Sequence, residues 1–337
     1  MSNQAAILKE PKAQLTIEKR PIPKPGPDDC LVKNAAVATN PVDWKMQASG
    51  DFIESYPAIL GSDVAGIVEE VGSSVTHFKK GDRVTGFADA LSSKDPDNGA
   101  FQEYCLVKDC GLAKLPNSTS FEEGSILPMS IATAAVGIFL ALGISRSPAK
   151  DQGAFLVWGA SSSVGTAVVQ IAKSLGYTVY GVCSPRHADH VKKLGAQETF
   201  DYNDSSVVKN VIQSLKSSSE EIAFAYDAIS EHGSAPQCAE ILETFGGGKL
   251  CLTIPYPEDA KKPPKVEIVT TYAARIVSDS KDFGRWLFND WLENSLANKT
   301  YIPSPAIEKI DGGVAAIQKA LDIHKKGLSG KKLVLTL

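Results

Sequence analysis

An α/β fold is predicted for this chain: a doubly wound parallel sheet joined to a mainly β domain of the partly open barrel kind. Three observations carry that prediction. From Ala154 to Ile254 strand-like and helix-like runs alternate repeatedly, the signature of a parallel sheet covered by helices on both faces. The stretch "VWGASSSVG" stands between the first of those strands and its helix, where a phosphate cradle would sit. The first third is instead a series of short β-favouring runs separated by Gly, Pro and Asp. At 337 residues the chain is long for one hydrophobic core, so two domains are expected. The boundaries read as 1–125 for the β domain, 126–272 for the wound sheet and 273–337 for a return to the first domain.

In chain order, "CLVKNAAVATN", "VAGIVEEVG", "DRVTGF" and "FQEYCLVK" read as strands. After Pro116 the texture changes, and "SFEEGSILPMSIATAAVGIFLALG" reads as helix closing at Gly143. Strand "AFLVWG" leads to a helix from about Val164 to Leu175, closed by Gly176. Strands "TVYGVC", "ETFDY", "IAFAYDAI" and "KLCLTI" follow, with helices "ADHVKKLG", "SVVKNVIQSLK" and "SAPQCAEILETF" between them. Two more helices, around "FGRWLFNDWLENSLA" and "GGVAAIQKALDIHKKG", precede a last strand, "KKLVLTL", expected to return to the β domain. Trp286 and Trp291, with Phe283, Leu287 and Phe288, read as helix core.

Composition narrows the function classes. The chain is 43% hydrophobic and 22% charged, with a formal net charge of −4, which argues against a general nucleic-acid binder. The apolar stretch "ILPMSIATAAVGIFLALG" is short for a spanning helix, rich in small residues and without basic flanks, so a buried helix is expected and no membrane partner. The N-terminal "MSNQAAILKEPK" has no apolar core of signal-peptide length. Six cysteines (Cys30, Cys105, Cys110, Cys183, Cys238 and Cys251) are scattered without paired spacing, the pattern of reduced thiols in a cytoplasmic protein.

The cradle is read as follows. Gly159 permits the tight turn and Gly165 lets the helix pack closely on the strand. Ser162, between Ser161 and Ser163, is small enough for phosphate to approach the backbone, with Val164 completing the first turn. The spacing Gly-x-x-Ser-x-x-Gly departs from G-x-G-x-x-G and in isolation equally suits an ordinary structural turn. At the end of the next strand an NAD-preferring chain places an acid. Here "GVCSPRHADH" offers Ser184 and Arg186, with His187 beside them and no acid before Asp189. A hydroxyl and a guanidinium would hold a 2′-phosphate that a carboxylate would repel, so NADPH is expected. Tyr202 in "FDY" adds a hydroxyl. Arg186 taken singly also fits a solvated surface side chain.

With "LGSDVAGIVEEVG", "GDRVTGF", "GAFQEY", the cradle and "GLSGKKLVLTL", the chain resembles the medium-chain dehydrogenase/reductase superfamily along nearly its whole length. The resemblance implies a GroES-like β-barrel catalytic domain and a Rossmann domain, with the active site in the cleft. Zinc alcohol dehydrogenases of that superfamily place a Cys ligand where this chain has Asn40, and a His-Glu pair where it has Ser62 and Asp63. Asn and Ser are poor replacements for thiolate and imidazole, so no metal is expected. Within the zinc-independent branch, "NPVDWKM", "ILPMSIATAAVG" and "CSPRHADHVKKLGAQETFDY" look most like fungal stand-alone enoyl reductases, which act on an acyl chain held by a polyketide synthase carrier domain.

That resemblance implies that Lys45 and the backbone around Asn40, Val42 and Asp43 lie near the nicotinamide. It also implies that Thr133 lines the cleft, and that Thr253 and Ile254 flank the nicotinamide at the last sheet strand. Lys45 and Thr133 are the catalytic candidates. On residue type alone, Lys45 equally fits a snorkelling rim lysine, Thr133 a buried helix threonine bonded to backbone, and Asp43 a brace for its loop. The implied reaction is NADPH-dependent reduction of an α,β-unsaturated carbonyl in secondary metabolism, on a small-molecule or carrier-bound acyl substrate. Quinone or alkenal reduction, imine or iminium reduction, and NADPH binding without turnover stay open alternatives. The Pro-rich stretch after Ile254 would blunt the sheet edge at "KLCLTIP" and favours a monomer.

Overall fold

The computed structural model describes residues 2–337. Along the chain come β1 (Asn3–Ile7), β2 (Thr16–Arg20), β3 (Asp29–Ala38), helix α1 (Pro41–Ser49), β4 (Asp63–Val71), β5 (Arg83–Phe87), β6 (Tyr104–Lys108) and β7 (Leu112–Lys114). Helices α2 (Phe121–Ser125) and α3 (Pro128–Ala135) follow. The alternating part comprises β8 (Ala154–Trp158), α4 (Ser163–Leu175), β9 (Thr178–Val182), α5 (Ala188–Leu194), β10 (Ala196–Phe200), α6 (Val207–Ser218), β11 (Ile222–Asp227), α7 (Ser234–Thr244), β12 (Gly248–Leu252) and β13 (Val266–Thr270). The last part holds α8 (Lys281–Arg285), α9 (Glu293–Ala297), β14 (Ala306–Lys309), α10 (Ile317–Lys325) and β15 (Lys331–Thr336). Two compact units result: one up to Ala132 together with Ala274–Leu337, the other Thr133–Ala273.

In the first unit, seven strands form one sheet in the order β14-β15-β3-β4-β5-β7, with β6 also on β3. The ten-residue β3 is long enough to share one side between two partners. β6 takes Asp29–Lys33, and β15 takes Ala36–Ala38, with Val334 opposite Ala38. The terminal strand therefore does return to the β domain, as its sequence suggested. Buried Val32, Val37, Val64, Val68, Phe87, Leu112 and Leu333 fill the sheet's interior. Unread in the sequence were the β1–β2 ribbon, the short strands β7 and β14, and α1, whose sequence "PVDWKMQAS" has no apolar stripe and whose start depends on Pro41 at its first turn.

The second unit is a six-stranded, wholly parallel sheet in the order β10-β9-β8-β11-β12-β13. The strand order reverses between β8 and β11, the switch point where such sheets open a ligand crevice at their carboxyl ends. β8 is buried throughout, as a central strand covered on both faces must be. Helix α6 shows how the helices attach: Val207, Val211 and Leu215 recur at i, i+4 and i+8 and are all buried in the core. "KLCLTI" is not the sheet's last strand. β13 lies outside it, with Val266 opposite Gly248 and Thr270 opposite Leu252, so the edge is "VEIVT" and the Pro-rich stretch is the crossover that leads to it.

The long apolar helix is interrupted. It turns at Ile126–Leu127 between α2 and α3, and after α3 widens into a π turn over Val136–Ala141. Phe121–Ala141 is long and apolar enough to cross a membrane, but 78% of its most apolar window is buried inside the protein. A second π turn, Trp286–Leu292, follows α8. Leu287 and Phe288 there are fully buried and Phe283 nearly so, whereas Trp286 and Trp291 are only half-buried. Trp286 sits against Phe283 and Trp291 against Tyr301. All six cysteines are buried and unpaired, and burial pushes the thiols of Cys30, Cys105 and Cys251 up to about 12.

Candidate active site

The cradle of the second unit is built by its backbone. Gly159, at the end of β8, has φ +70°, in the left-handed region, and a Cβ there would lie 2.4 Å from the Ile229 side chain. Gly165 sits in the first turn of α4, where a Cβ would lie 2.1 Å from the Gly159 carbonyl oxygen. Only glycine at both positions lets strand, turn and helix approach this closely. Ser162 is the N-cap of α4: its Oγ accepts from the Gly165 amide at 3.0 Å, and its carbonyl accepts from Thr166 at 2.8 Å. The cap satisfies one donor of the first turn and leaves the amides of Ser163 and Val164 at the positive end of a 13-residue helix. The Ser162 hydroxyl still has its proton to donate. A pyrophosphate fits such a site by charge and by the space the missing side chains leave.

Across the switch point stands a group that the sequence did not reveal. Asp227 ends β11 with a fully buried carboxylate that accepts from the amides of Ile229 (3.0 Å) and Ser230 (2.8 Å) and from Ser234 Oγ (2.5 Å). Burial raises its pKa, and the Ser234 hydroxyl offsets part of that rise. Ser230, held at φ +54°, accepts in turn from the Thr253 amide at 3.0 Å, and Thr253 Oγ1 donates to it at 3.2 Å. Thr253 after β12 is thus tied to the turn after β11, with Ile254 next along the chain. The signal available was only "YDAIS", an acid directly after an apolar strand.

At the end of β9, Ser184 opens a single 3₁₀ turn, Pro185–His187. Arg186 is exposed, His187 and Ser184 half-exposed, and Tyr202 after β10 is 47% exposed. The His187 pKa is lowered, first by partial burial and then by the positive charge of Arg186. Asp189 and the side chains beyond it belong to the start of α5. Ser184, Arg186 and His187 are therefore reachable from solvent at the carboxyl end of β9, the strand next to the cradle, and Tyr202 at that of β10 beyond it.

Thr133 lies in α3 just before the π turn. Its carbonyl accepts two side-chain hydroxyls: Tyr226 at 2.8 Å and Thr271 at 2.7 Å. Tyr226 is fully buried, and Gly137 packs so closely on its ring that a Cβ would lie 2.4 Å away. The helix is thereby pinned to β11 and to the residue after β13.

In the first unit, the turn into α1 carries the remaining candidates. Asn40 and Asp43 are buried, at 4% and 0% exposure, and their side chains are engaged within the protein. Asp43 Oδ2 accepts from the Asn40 amide at 2.6 Å. Asn40 Nδ2 donates to Asp63 Oδ2 at 2.8 Å. Both side chains hold the turn, the brace that was one reading of Asp43, and leave its backbone as the part expected near the nicotinamide. Burial pushes the Asp43 carboxyl up to about 7, with the Asn40 amide opposing and the Asp63 charge adding to the rise. Val42 and Lys45 are half-exposed, and the Lys45 ammonium sits 5.7 Å from the Trp44 ring centroid.

A wound sheet with a two-glycine cradle and a separate β domain bearing a helix-borne lysine define a two-domain nicotinamide-dependent oxidoreductase. The family models for the alcohol dehydrogenase GroES-like domain and the zinc-binding dehydrogenase match residues 26–117 and 163–253. The chain belongs to the medium-chain dehydrogenase/reductase family. It is 38% identical to the trans-enoyl reductase tndF of Aspergillus flavipes over 99% of both chains, and 34% identical to the dehydrogenase pigH of Monascus ruber over 100% of both. The structure of the CurK enoyl reductase superposes with a TM-score of 0.79 over 99% of each chain at 18% identity, a likeness of fold.

The residues present do not suit the zinc that the second family is named for. Among the described residues no three His, Cys, Asp or Glu side chains are grouped to hold a metal. Where the resemblance sets zinc ligands stand Asn40, Ser62 and Asp63, and the Lys332 ammonium lies 3.0 Å from Asn40 Oδ1 and 2.5 Å from Asp63 Oδ2. An amide, a hydroxyl and one carboxylate that already binds a cation do not fit zinc.

Proposed function

We propose that this protein is a zinc-independent, NADPH-dependent reductase of α,β-unsaturated carbonyl compounds, acting in trans on an acyl chain carried by a polyketide synthase. The observation that carries this reading is the cradle with its hydroxyl-and-guanidinium neighbour, in a chain 38% identical end to end to a protein named as a trans-enoyl reductase. Bound NADPH would supply the hydride that the β-carbon of the conjugated bond receives.

The chain's own residues do the rest. Gly159, Ser161, Ser162, Ser163, Val164 and Gly165 hold the pyrophosphate through backbone donors and the Ser162 hydroxyl. Ser184, Arg186, His187 and Tyr202 take the 2′-phosphate, Arg186 through a charge-assisted contact. Thr253 and Ile254 of the wound sheet, and in the β domain Val42, Lys45 and the backbone of their turn, are the residues that would hold the nicotinamide. Thr133 lines the substrate side. The conjugated carbonyl already activates the double bond, so orientation and stabilisation of the enolate oxygen are what the protein must add. The Lys45 ammonium, held on the α1 helix, would bear on that oxygen. The α-carbon then takes one proton, which completes the addition of two hydrogens.

The test is stopped-flow NADPH oxidation against a matched pair: an α,β-unsaturated acyl pantetheine thioester and the free enone of the same length. Faster turnover of the thioester supports the carrier-bound reading. Preference for the enone places the protein with quinone and alkenal reductases. Silence on both, with NADPH bound, points to imines or to binding without turnover. Stoichiometric zinc in protein purified without added metal would contradict the zinc-independent part.

A further inference from the structure

Lys332 lies on β15, 2% exposed, in the interior of the first unit. A buried ammonium needs an acceptor for each of its three protons. Three oxygens surround this one: Asp63 Oδ2 at 2.5 Å, Asn40 Oδ1 at 3.0 Å and the Ile126 carbonyl at 3.3 Å. The acceptors are themselves bound. Asp63 Oδ1 takes the Met129 amide at 2.6 Å, and Oδ2 also takes Asn40 Nδ2 at 2.8 Å. The Asn40 amide closes the set on Asp43 Oδ2. Four separate stretches of chain meet here: the entry to α1, the start of β4, the α2–α3 turn with the first turn of α3, and β15. Thr39, next to Asn40, pairs with His324 Nδ1 at 2.9 Å, and burial with the nearby Lys332 charge depresses that histidine to about 4. Among the described residues the Lys332 ammonium is thus the single cation of the cluster.

We propose that Lys332 is a positioning residue: by gripping Asn40 and Asp63 it fixes the first turn of α1, from which Val42 and Lys45 are presented. Lys332 touches no substrate in this account. The consequence for reaction rate rests on the function proposed above, whereas the grip on the turn does not.

The experiment has two readouts and three variants. Lys332→Ala removes Cγ to Nζ, an outline that matches n-propylammonium. The double variant Asp63→Asn/Lys332→Met removes both charges together and serves where the single variant fails to fold. Lys332→Arg keeps a cation of different shape. Hydrogen exchange is followed for the amides of Asp43–Gln47, with those of β8–β12 as the internal control, and NADPH oxidation is followed on the better of the two substrates above. In the double variant the Asp43–Gln47 amides should exchange at least about tenfold faster with the control strands unchanged. kcat should fall at least about tenfold and by more than KM for NADPH rises, since the residues for the pyrophosphate and 2′-phosphate are unaltered. For Lys332→Ala, n-propylammonium should restore protection and rate, while sodium and tetramethylammonium should not; Lys332→Arg should restore part of both. Wild-type protection of Asp43–Gln47 in the double variant would overturn the proposal, as would equal recovery of Lys332→Ala in sodium chloride. If the wild type reduces neither substrate, the function proposed above fails, while the exchange and amine results still decide the role of Lys332.

Discussion

Replacing Gly165 by alanine tests the cradle where its geometry is tightest. The new Cβ would lie 2.1 Å from the Gly159 carbonyl oxygen, 2.8 Å from its carbonyl carbon and 2.9 Å from Ala160 Cα. A close carbon–oxygen contact is about 3.3 Å, so helix and turn must separate by roughly 1.2 Å. All three obstacles are backbone, and no side chain can swing aside. Alanine gains about 1 kcal/mol of helix propensity over glycine, whereas overpacking costs about 1–3 kcal/mol. The net loss of stability is therefore about 0–2 kcal/mol, and the larger effect falls on binding. Moving the α4 amides away from the pyrophosphate forfeits at least one hydrogen bond to a charged group, about 1.5–3 kcal/mol, or roughly 10- to 100-fold in affinity. Fluorescence titration with NADPH, beside urea unfolding of the same preparation, measures both. Wild-type affinity and an unchanged urea midpoint for Gly165→Ala would refute the cradle as described.

Three further outcomes are expected. Tyr226→Phe removes one of the two hydroxyls on the Thr133 carbonyl and leaves that of Thr271, so urea unfolding should show a loss of about 1 kcal/mol. Arg186→Ala should weaken NADPH by about 10- to 100-fold and leave NADH affinity unchanged in isothermal titration, because only the former carries the 2′-phosphate. Asp43 has a folded pKa raised from 3.8 to about 7, so between those values the native state holds a proton that the unfolded chain has lost. Its contribution is complete below about pH 4 and disappears as pH rises through about 7. Wild-type stability relative to Asp43→Asn should therefore fall by up to about 4 kcal/mol across that window, and a flat difference in urea melts would show an ordinary carboxyl.

The parts of the site that could be read from residues are those fixed by neighbours in the chain. Gly159, Ser162 and Gly165 lie within seven positions, and the left-handed turn, the N-cap and the helix packing follow from residue types at short spacing. The strand–helix alternation was legible for the same reason, since each element shows its own period. β13 escaped because "VEIVT" is short, charged and preceded by "KKPPK"; what makes it a strand is the row of β12 backbone groups beside it. The π turns at Val136–Ala141 and Trp286–Leu292 escaped as well, because an apolar run reads alike whether its turns close at four residues or five.

The resemblance placed the backbone around Asn40 and Asp43 beside the nicotinamide and left Asp43 open as a brace; the structure turns both side chains inward, where they hold the turn. What decided this lies far away in sequence: the partner that claims Asn40 and Asp63 is Lys332, 292 and 269 residues further on. In "GKKLVLTL" one of two adjacent lysines is solvated and the other buried, and nothing in the residue types distinguishes them. Local backbone preference and the period of apolar residues thus determined the wound sheet and its cradle from sequence. The grip of Lys332, the anchor of Asp227 and the edge at β13 were decided by tertiary structure alone, because a buried charge or an edge strand is defined by its partner, and chain spacing does not encode which partner arrives.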